Sequence, residues 1–138
     1  MNSIKKTTEM EDMKVKLSTL WVVVMFNIAF ADIVGFMNPG VLDEIVKGAT
    51  PIKITQGLML GFSILLEIPI AMILLSRVLK YRANRWANIM AGSITILFVI
   101  GGGNTNLSYI FFATIEVACI LLIVWYAWKW PNHKDEPQ

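Results

Sequence analysis

Histidine and cysteine are almost missing from this sequence: His133 and Cys119 are the single examples of each. One cysteine cannot close an intramolecular disulfide or form a Cys-x-x-Cys pair, which excludes dithiol redox chemistry within the chain. Cys119 is expected only to pack as a small apolar residue. His133 sits in the polar tail "PNHKDEPQ" and has no second histidine to work with. No Ser-His-Asp set, metal-ligand spacing or paired histidine is present, so no catalytic residue, metal or cofactor is predicted. Cations are scarce in a more localised way: no Lys, Arg or His occurs within 17–46, 54–76 or 86–128. With a net charge of only +2 and no basic stripe, no nucleic-acid partner is expected.

The cation-free stretches are long and apolar. Hydrophobic residues make up 56% of the 138, and the mean hydropathy is +0.61. A soluble domain of this length could not cover such a surface with polar groups. About 20 mostly apolar residues cross a hydrocarbon core of ~30 Å as a helix. Four segments meet that requirement: Leu17–Met37, Ile54–Leu79, Trp86–Gly103 and Leu107–Trp128. The predicted fold is all-α, an antiparallel four-helix bundle integral to a lipid bilayer. Ten of the twelve Lys and Arg residues fall in the termini or in "RVLKYRANR", and only Lys47 and Lys53 on the other side. The positive-inside rule then places both termini in the cytoplasm, with 1–16 and 129–138 as cytoplasmic tails. The first segment exceeds a signal-peptide core and is expected to be a retained anchor.

The connections have their own signals. "MNSIKKTTEMEDMKVK" is expected to fray or lie among headgroups. In "NPGVLDEIVKGATPI", Asn38-Pro39-Gly40 is turn chemistry, and "VLDEIVK" places Val41, Leu42, Ile45 and Val46 on one face of a short interfacial helix ending at Gly48. A surface loop fits the same residues. The inner loop, Lys80–Arg85, makes spans two and three antiparallel neighbours. "GGGNTN" (101–106) turns between spans three and four; it lacks the strand, helix and lysine of a phosphate loop. Trp21, Tyr81, Trp86, Trp125, Tyr126, Trp128 and Trp130 gather at the inner boundary, where aromatic rings anchor at headgroup level. "GLMLG", Gly57 to Gly61, has the small-xxx-small spacing that lets helices approach, within one chain or between two copies.

Three carboxylates lie inside the spans: Asp32, Glu67 and Glu116. An ionised Asp at a helix centre costs about 2.5–3.5 kcal/mol on insertion scales, so such groups are expected to face protein or water. Counted from Lys80, Lys129 and Lys16 at ~1.5 Å per residue, Glu67 and Glu116 lie ~20 Å and Asp32 ~24 Å outward, in one layer. At ~100° per residue, Gln56, Ser63, Glu67 and Ala71 share one face of span two. Asn84, Asn88, Gly92 and Thr95 share one face of span three, and Tyr109 and Glu116 one face of span four. Asp32 sits on an apolar face with Trp21, Met25, Ile28 and Phe36, with Asn27 opposite, and is placed to reach headgroup water. Pro69 cannot donate to the Leu65 carbonyl, so span two is expected to bend beside Glu67.

Two uses of the acids stay open. As neutral groups, Glu67 and Glu116 can hydrogen-bond Asn88, Thr95, Ser63 or Tyr109 and hold the bundle together, at roughly 0.6 kcal/mol per bond. Alternatively Glu67, Glu116 and Asp32 form a proton or cation site near the middle of the membrane. An offset of 49 lays Glu67 on Glu116 and Lys80 on Lys129, a weak echo of parallel duplication.

The segments "KLSTLWVVVMFNIAFADIVGFMNPG", "LLEIPIAMILLSRVLKYRANRWANIMAG" and "FFATIEVACILLIVWYAWKW" together resemble a family of small bacterial four-span membrane proteins known as a domain of unknown function. The likeness covers nearly the whole chain, and Glu67 to Gly92 is its most distinctive part. More loosely, the four-span size and the acid in span two are similar to DoxX-like proteins. The resemblance implies bacterial origin and the inner membrane, and brings no activity or site residues. The sequence thus favours a non-enzymatic membrane protein that binds or relays protons or cations. The alternative is a structural or regulatory subunit that packs through Gly57 and Gly61 against itself or a larger partner.

Overall fold

The computed structural model describes residues 2–131, so His133 and Lys134 lie outside the described residues. The chain forms α1 (Asn2–Phe36), α2 (Val41–Lys47), α3 (Gln56–Val78), α4 (Tyr81–Gly101) and α5 (Leu107–Lys129). All but α2 are long and apolar enough to cross a membrane, as the sequence predicts for an all-α multi-pass membrane protein. α1 packs against α3 and α5, and α4 against the same two, so α1 and α4 are diagonal partners in the bundle.

Each of the four long helices turns a heptad-like seam inward. Leu17, Trp21, Val24 and Ile28 are buried on α1, and Glu116, Ile120, Ile123 and Ala127 on α5. These spacings of three and four residues are those of knobs-into-holes packing. α4 buries Asn84, Asn88, Ala91, Gly92, Thr95 and Val99, the polar-and-small stripe expected of it. The outer surface is the apolar one: Phe26, Leu60, Leu74 and Leu97 are each more than half exposed. That inversion, with amides inside and large apolar groups outside, suits a lipid solvent.

Four expectations are corrected. Residues 2–16 are not a frayed tail; they continue α1, because no Gly or Pro interrupts them and Lys14 pairs with Glu11 at 3.3 Å. At ~1.5 Å per residue the 35-residue α1 is ~52 Å long, well beyond a hydrocarbon core of ~30 Å. α4 begins at Tyr81, not near Trp86, leaving Leu79 and Lys80 as the whole connection to α3. Arg82 and Arg85 therefore stand on the first turns of α4. Trp21 is not a headgroup anchor but is fully buried, because it occupies the α1 seam. Trp130 is also buried, edge-on to Tyr81, while Trp86, Trp125 and Trp128 are exposed at the basic end.

The fourth correction concerns α3. Its buried face is Pro69, Met72 and Ser76, and the stripe Gln56, Ser63 and Glu67 is exposed. Glu67 lies ~200° around the helix from Pro69, so burying the proline turns the acid outward. The α1–α3 connection is closer to expectation. Gly40 and Gly48 take left-handed backbone (φ 88 and 65) on either side of α2, a conformation that favours glycine, and Ala49 N–H caps the Glu44 carbonyl at 2.8 Å.

Candidate functional site

Two polar regions lie inside the bundle. The first, toward the basic end, is a closed hydrogen-bond hub. Trp21 Nε1 donates to Asn88 Oδ1 at 2.7 Å, and Ser76 Oγ donates to the same oxygen at 3.2 Å. Asn88 Nδ2 donates to Asn84 Oδ1 at 2.6 Å and to the Asn84 carbonyl at 2.8 Å. Asn84 Nδ2 in turn donates to the Ser76 carbonyl at 2.7 Å. α1, α3 and α4 are joined in one satisfied network. Nearby, Ser18 Oγ donates to the Ile73 carbonyl at 2.8 Å and Tyr81 Oη to the Trp130 carbonyl at 2.7 Å. Every amide group in the hub is used within the protein, so it has structural rather than chemical character.

The second region lies toward the opposite end. There a cavity of about 360 Å³ is bounded by all four long helices. Ile28, Ala31, Asp32 and Phe36 face it from α1, Phe62 and Leu66 from α3, Phe98 and Val99 from α4 with Gly102 just past its end, and Tyr109 and Glu116 from α5. The seams explain why the acids arrive here. Glu116 occupies the α5 register that continues as Ile120, Ile123 and Ala127. Asp32 stands one turn beyond Ile28 on α1. Tyr109 Oη donates to the Val99 carbonyl, tying α5 to α4 at the cavity wall.

The two acids differ in setting. Glu116 is only 4% exposed, and its carboxyl has no hydrogen-bond or ion-pair partner among the described residues. Asp32 is an exposed residue at the cavity rim. No Lys, Arg or His lines the cavity.

The expected set of site residues is thus divided. Asp32, Glu116 and Tyr109 meet at one cavity, whereas Glu67 faces outward and is not part of it. The anticipated pairing of Glu67 with Glu116 is corrected: Asp32 holds the second place. Asn88 belongs to the hub, and Thr95 Oγ1 is turned back to the Ala91 carbonyl at 2.8 Å. Ser63 Oγ donates to the Met59 carbonyl and Asn27 Nδ2 to the Val23 carbonyl, both within their own helices, and Gln56 is exposed at the start of α3. Sequence reasoning missed Ser76, the inward role of Trp21 and the aromatic wall of Phe36, Phe62 and Phe98. The seam spacing of Leu17, Trp21, Val24 and Ile28 would have revealed Trp21; nothing local marks the wall. Gly57 and Gly61 do not pack within the chain, since a Cβ added at either would touch nothing. Among the described residues no group of three His, Cys, Asp or Glu could hold a metal ion.

No curated protein and no solved structure matches the chain. The looser likeness to DoxX-like proteins is not shown by the family comparison. A family model does match residues 5–136, nearly the full length, and with it the chain belongs to DUF6326, a family of unknown function.

Proposed function

We propose that this is a non-enzymatic membrane protein that binds or relays protons or cations through the acids of its four-helix cavity, with Glu116 as the central group and Asp32 as its rim partner. One observation carries the reading: Glu116 is 4% exposed, unpartnered among the described residues and faces a cavity. A buried acid without a partner is costly in a membrane helix, and such groups mark ion and proton pathways. Packing alone does not account for it, since none of the hydrogen bonds that join the helices among the described residues uses its carboxyl. The charge pattern fits both termini on the cytoplasmic side, which for a bacterial inner-membrane protein sets the cavity toward the outer half of the bilayer.

Proteoliposomes with an imposed pH gradient test this. The wild-type protein is expected to dissipate the gradient faster than protein-free vesicles. Glu116→Gln should reduce dissipation to the protein-free level, and Glu67→Gln should leave it unchanged. Equal rates for wild type and Glu116→Gln would sink the proposal.

A second reading is favoured by the outward face of α3. Glu67 is exposed there at bilayer depth, on a helix whose Gly57 and Gly61 have open space where a Cβ would be. Small residues let a second helix approach, and a second copy or a larger partner reaching around α3 from the glycines to Glu67, ~80–120° away at ~100° per residue, would remove Glu67 from lipid. Gly57→Leu with Gly61→Leu should leave the bundle folded and abolish self-association in sedimentation equilibrium. Retention of the dimer, or a monomeric wild type that copurifies with nothing, would count against it.

A further inference from the structure

We infer that the Asp32–Glu116 cavity takes a small organic cation, an alkyl or aryl ammonium, in preference to an inorganic ion; the inference rests on the cation-binding reading above. Charge comes first. Two carboxyl groups face the cavity from α1 and α5 with no basic side chain along its lining, so the lining complements a ligand that brings positive charge.

The donor set then separates the kinds of cation. A Ca²⁺ ion takes roughly 6–8 oxygens at close range, and Mg²⁺ demands a near-octahedral shell. Besides the two carboxyls, the only side-chain oxygen on the lining is the Tyr109 hydroxyl, too few ligands to complete either shell. An ammonium needs far less: one or two anionic contacts, with the rest of its surface against apolar groups. The wall supplies that surface. Phe36, Phe62, Phe98 and Tyr109 line the cavity, and the Phe62 and Phe98 rings pack with centroids 6.0 Å apart at 60°. Aromatic faces attract an ammonium held within about 6 Å of the ring centroid, and the attraction grows when the ion is desolvated.

Size agrees with this class. About 360 Å³ is near the lower end of ligand pockets, ample for one ring and a substituted nitrogen and wasteful for a bare ion. Glu116 provides the independent mark of a built site, being almost fully buried, unpartnered among the described residues and turned to the cavity. The same ammonium chemistry can come from a free amine or from an ethanolamine lipid headgroup entering past the exposed Asp32.

The full chain in phosphatidylglycerol nanodiscs, which supply no amine, is titrated calorimetrically with benzyltrimethylammonium, sodium, potassium and neutral benzyl alcohol. Saturable binding is expected for benzyltrimethylammonium alone. Glu116→Gln should weaken it at least about thirtyfold, as removal of a buried charge partner does. Phe62→Ala should weaken it about tenfold through the lost ring face. Replacing part of the lipid with phosphatidylethanolamine should lower the apparent affinity if the headgroup is the natural occupant; unchanged affinity assigns the site to a free amine. Helix content by circular dichroism checks each variant, and Asp32→Asn, at an exposed rim position, provides a second charge removal should Glu116→Gln fail to fold. Affinity unchanged in a folded charge variant overturns the inference. So does displacement of benzyltrimethylammonium by equimolar sodium or potassium. Absence of organic-cation binding together with Glu116-dependent pH flux overturns it and leaves the proton reading standing; absence of both removes the two together.

Discussion

Asn88→Ala is expected to destabilise the folded bundle by about 2–4 kcal/mol, because it orphans buried groups on three helices at once. Asn88 is fully buried, and its amide makes four hydrogen bonds, to Trp21, Ser76 and twice to Asn84. An ordinary interhelical hydrogen bond in a membrane contributes only about 0.6 kcal/mol, because the separated helices find other partners. A buried donor left without an acceptor costs about 1–3 kcal/mol, and Trp21 Nε1 and the Ser76 hydroxyl would both lose theirs. The expectation therefore rests on the orphaned groups more than on the bonds themselves. Trp21→Phe, which removes one donor and little volume, should cost less, and in combination with Asn88→Ala should be far from additive. Unfolding of the detergent-solubilised protein by sodium dodecyl sulfate, followed by helix content, measures all three. A loss below about 0.5 kcal/mol for Asn88→Ala, the scale of a neutral surface change, would mean that the hub does not hold the helices together.

Gly92→Leu should be as disruptive by a different route. A Cβ at Gly92 would sit 2.9 Å from Val124 Cγ2 and 3.2 Å from Ile120 Cγ2, so α4 and α5 approach here only because the side chain is absent. Even alanine must displace a β-branched valine, and overpacking of this kind costs about 1–3 kcal/mol. That opposes the roughly 1 kcal/mol by which alanine is the better helix former. Leucine adds three more carbons with nowhere to go, and is expected to separate α4 from α5 and open the Glu116 end of the seam. Gly92→Ala with Val124→Ala should recover most of the stability lost by Gly92→Ala alone, since the smaller residue removes the nearest atom. Gly57 and Gly61 are the internal contrast, because a Cβ at either meets open space. Equal thermal midpoints for Gly92→Leu and Gly61→Leu would refute the close approach.

These two positions show what could be read in advance. The α4 stripe was legible because Asn84, Asn88, Gly92 and Thr95 stand out at helical spacing from apolar neighbours, and all four are buried. The rotation of α3 was not. Two faces competed, one bearing Gln56, Ser63 and Glu67 and the other Pro69, Met72 and Ser76, and the rule that charge turns inward chose wrongly for Glu67. Ser76 settles the matter through bonds to Asn88 and Asn84, both in the following helix. Asp32 was named for the site although its neighbours at helical spacing are apolar, and its seam delivers it to the cavity.

Run length by itself determined that four helices are long and apolar enough to cross a bilayer, and roughly where each of them ends. Only the tertiary structure decided that Asp32 rather than Glu67 meets Glu116, that Trp21 is inside, and that aromatic rings wall the cavity. The physical reason is the solvent. Lipid is as apolar as a protein core, so hydrophobicity does not choose which way a membrane helix faces. That choice falls to close contacts such as Gly92 against Val124 and to hydrogen bonds such as Trp21 to Asn88, between residues far apart in the chain.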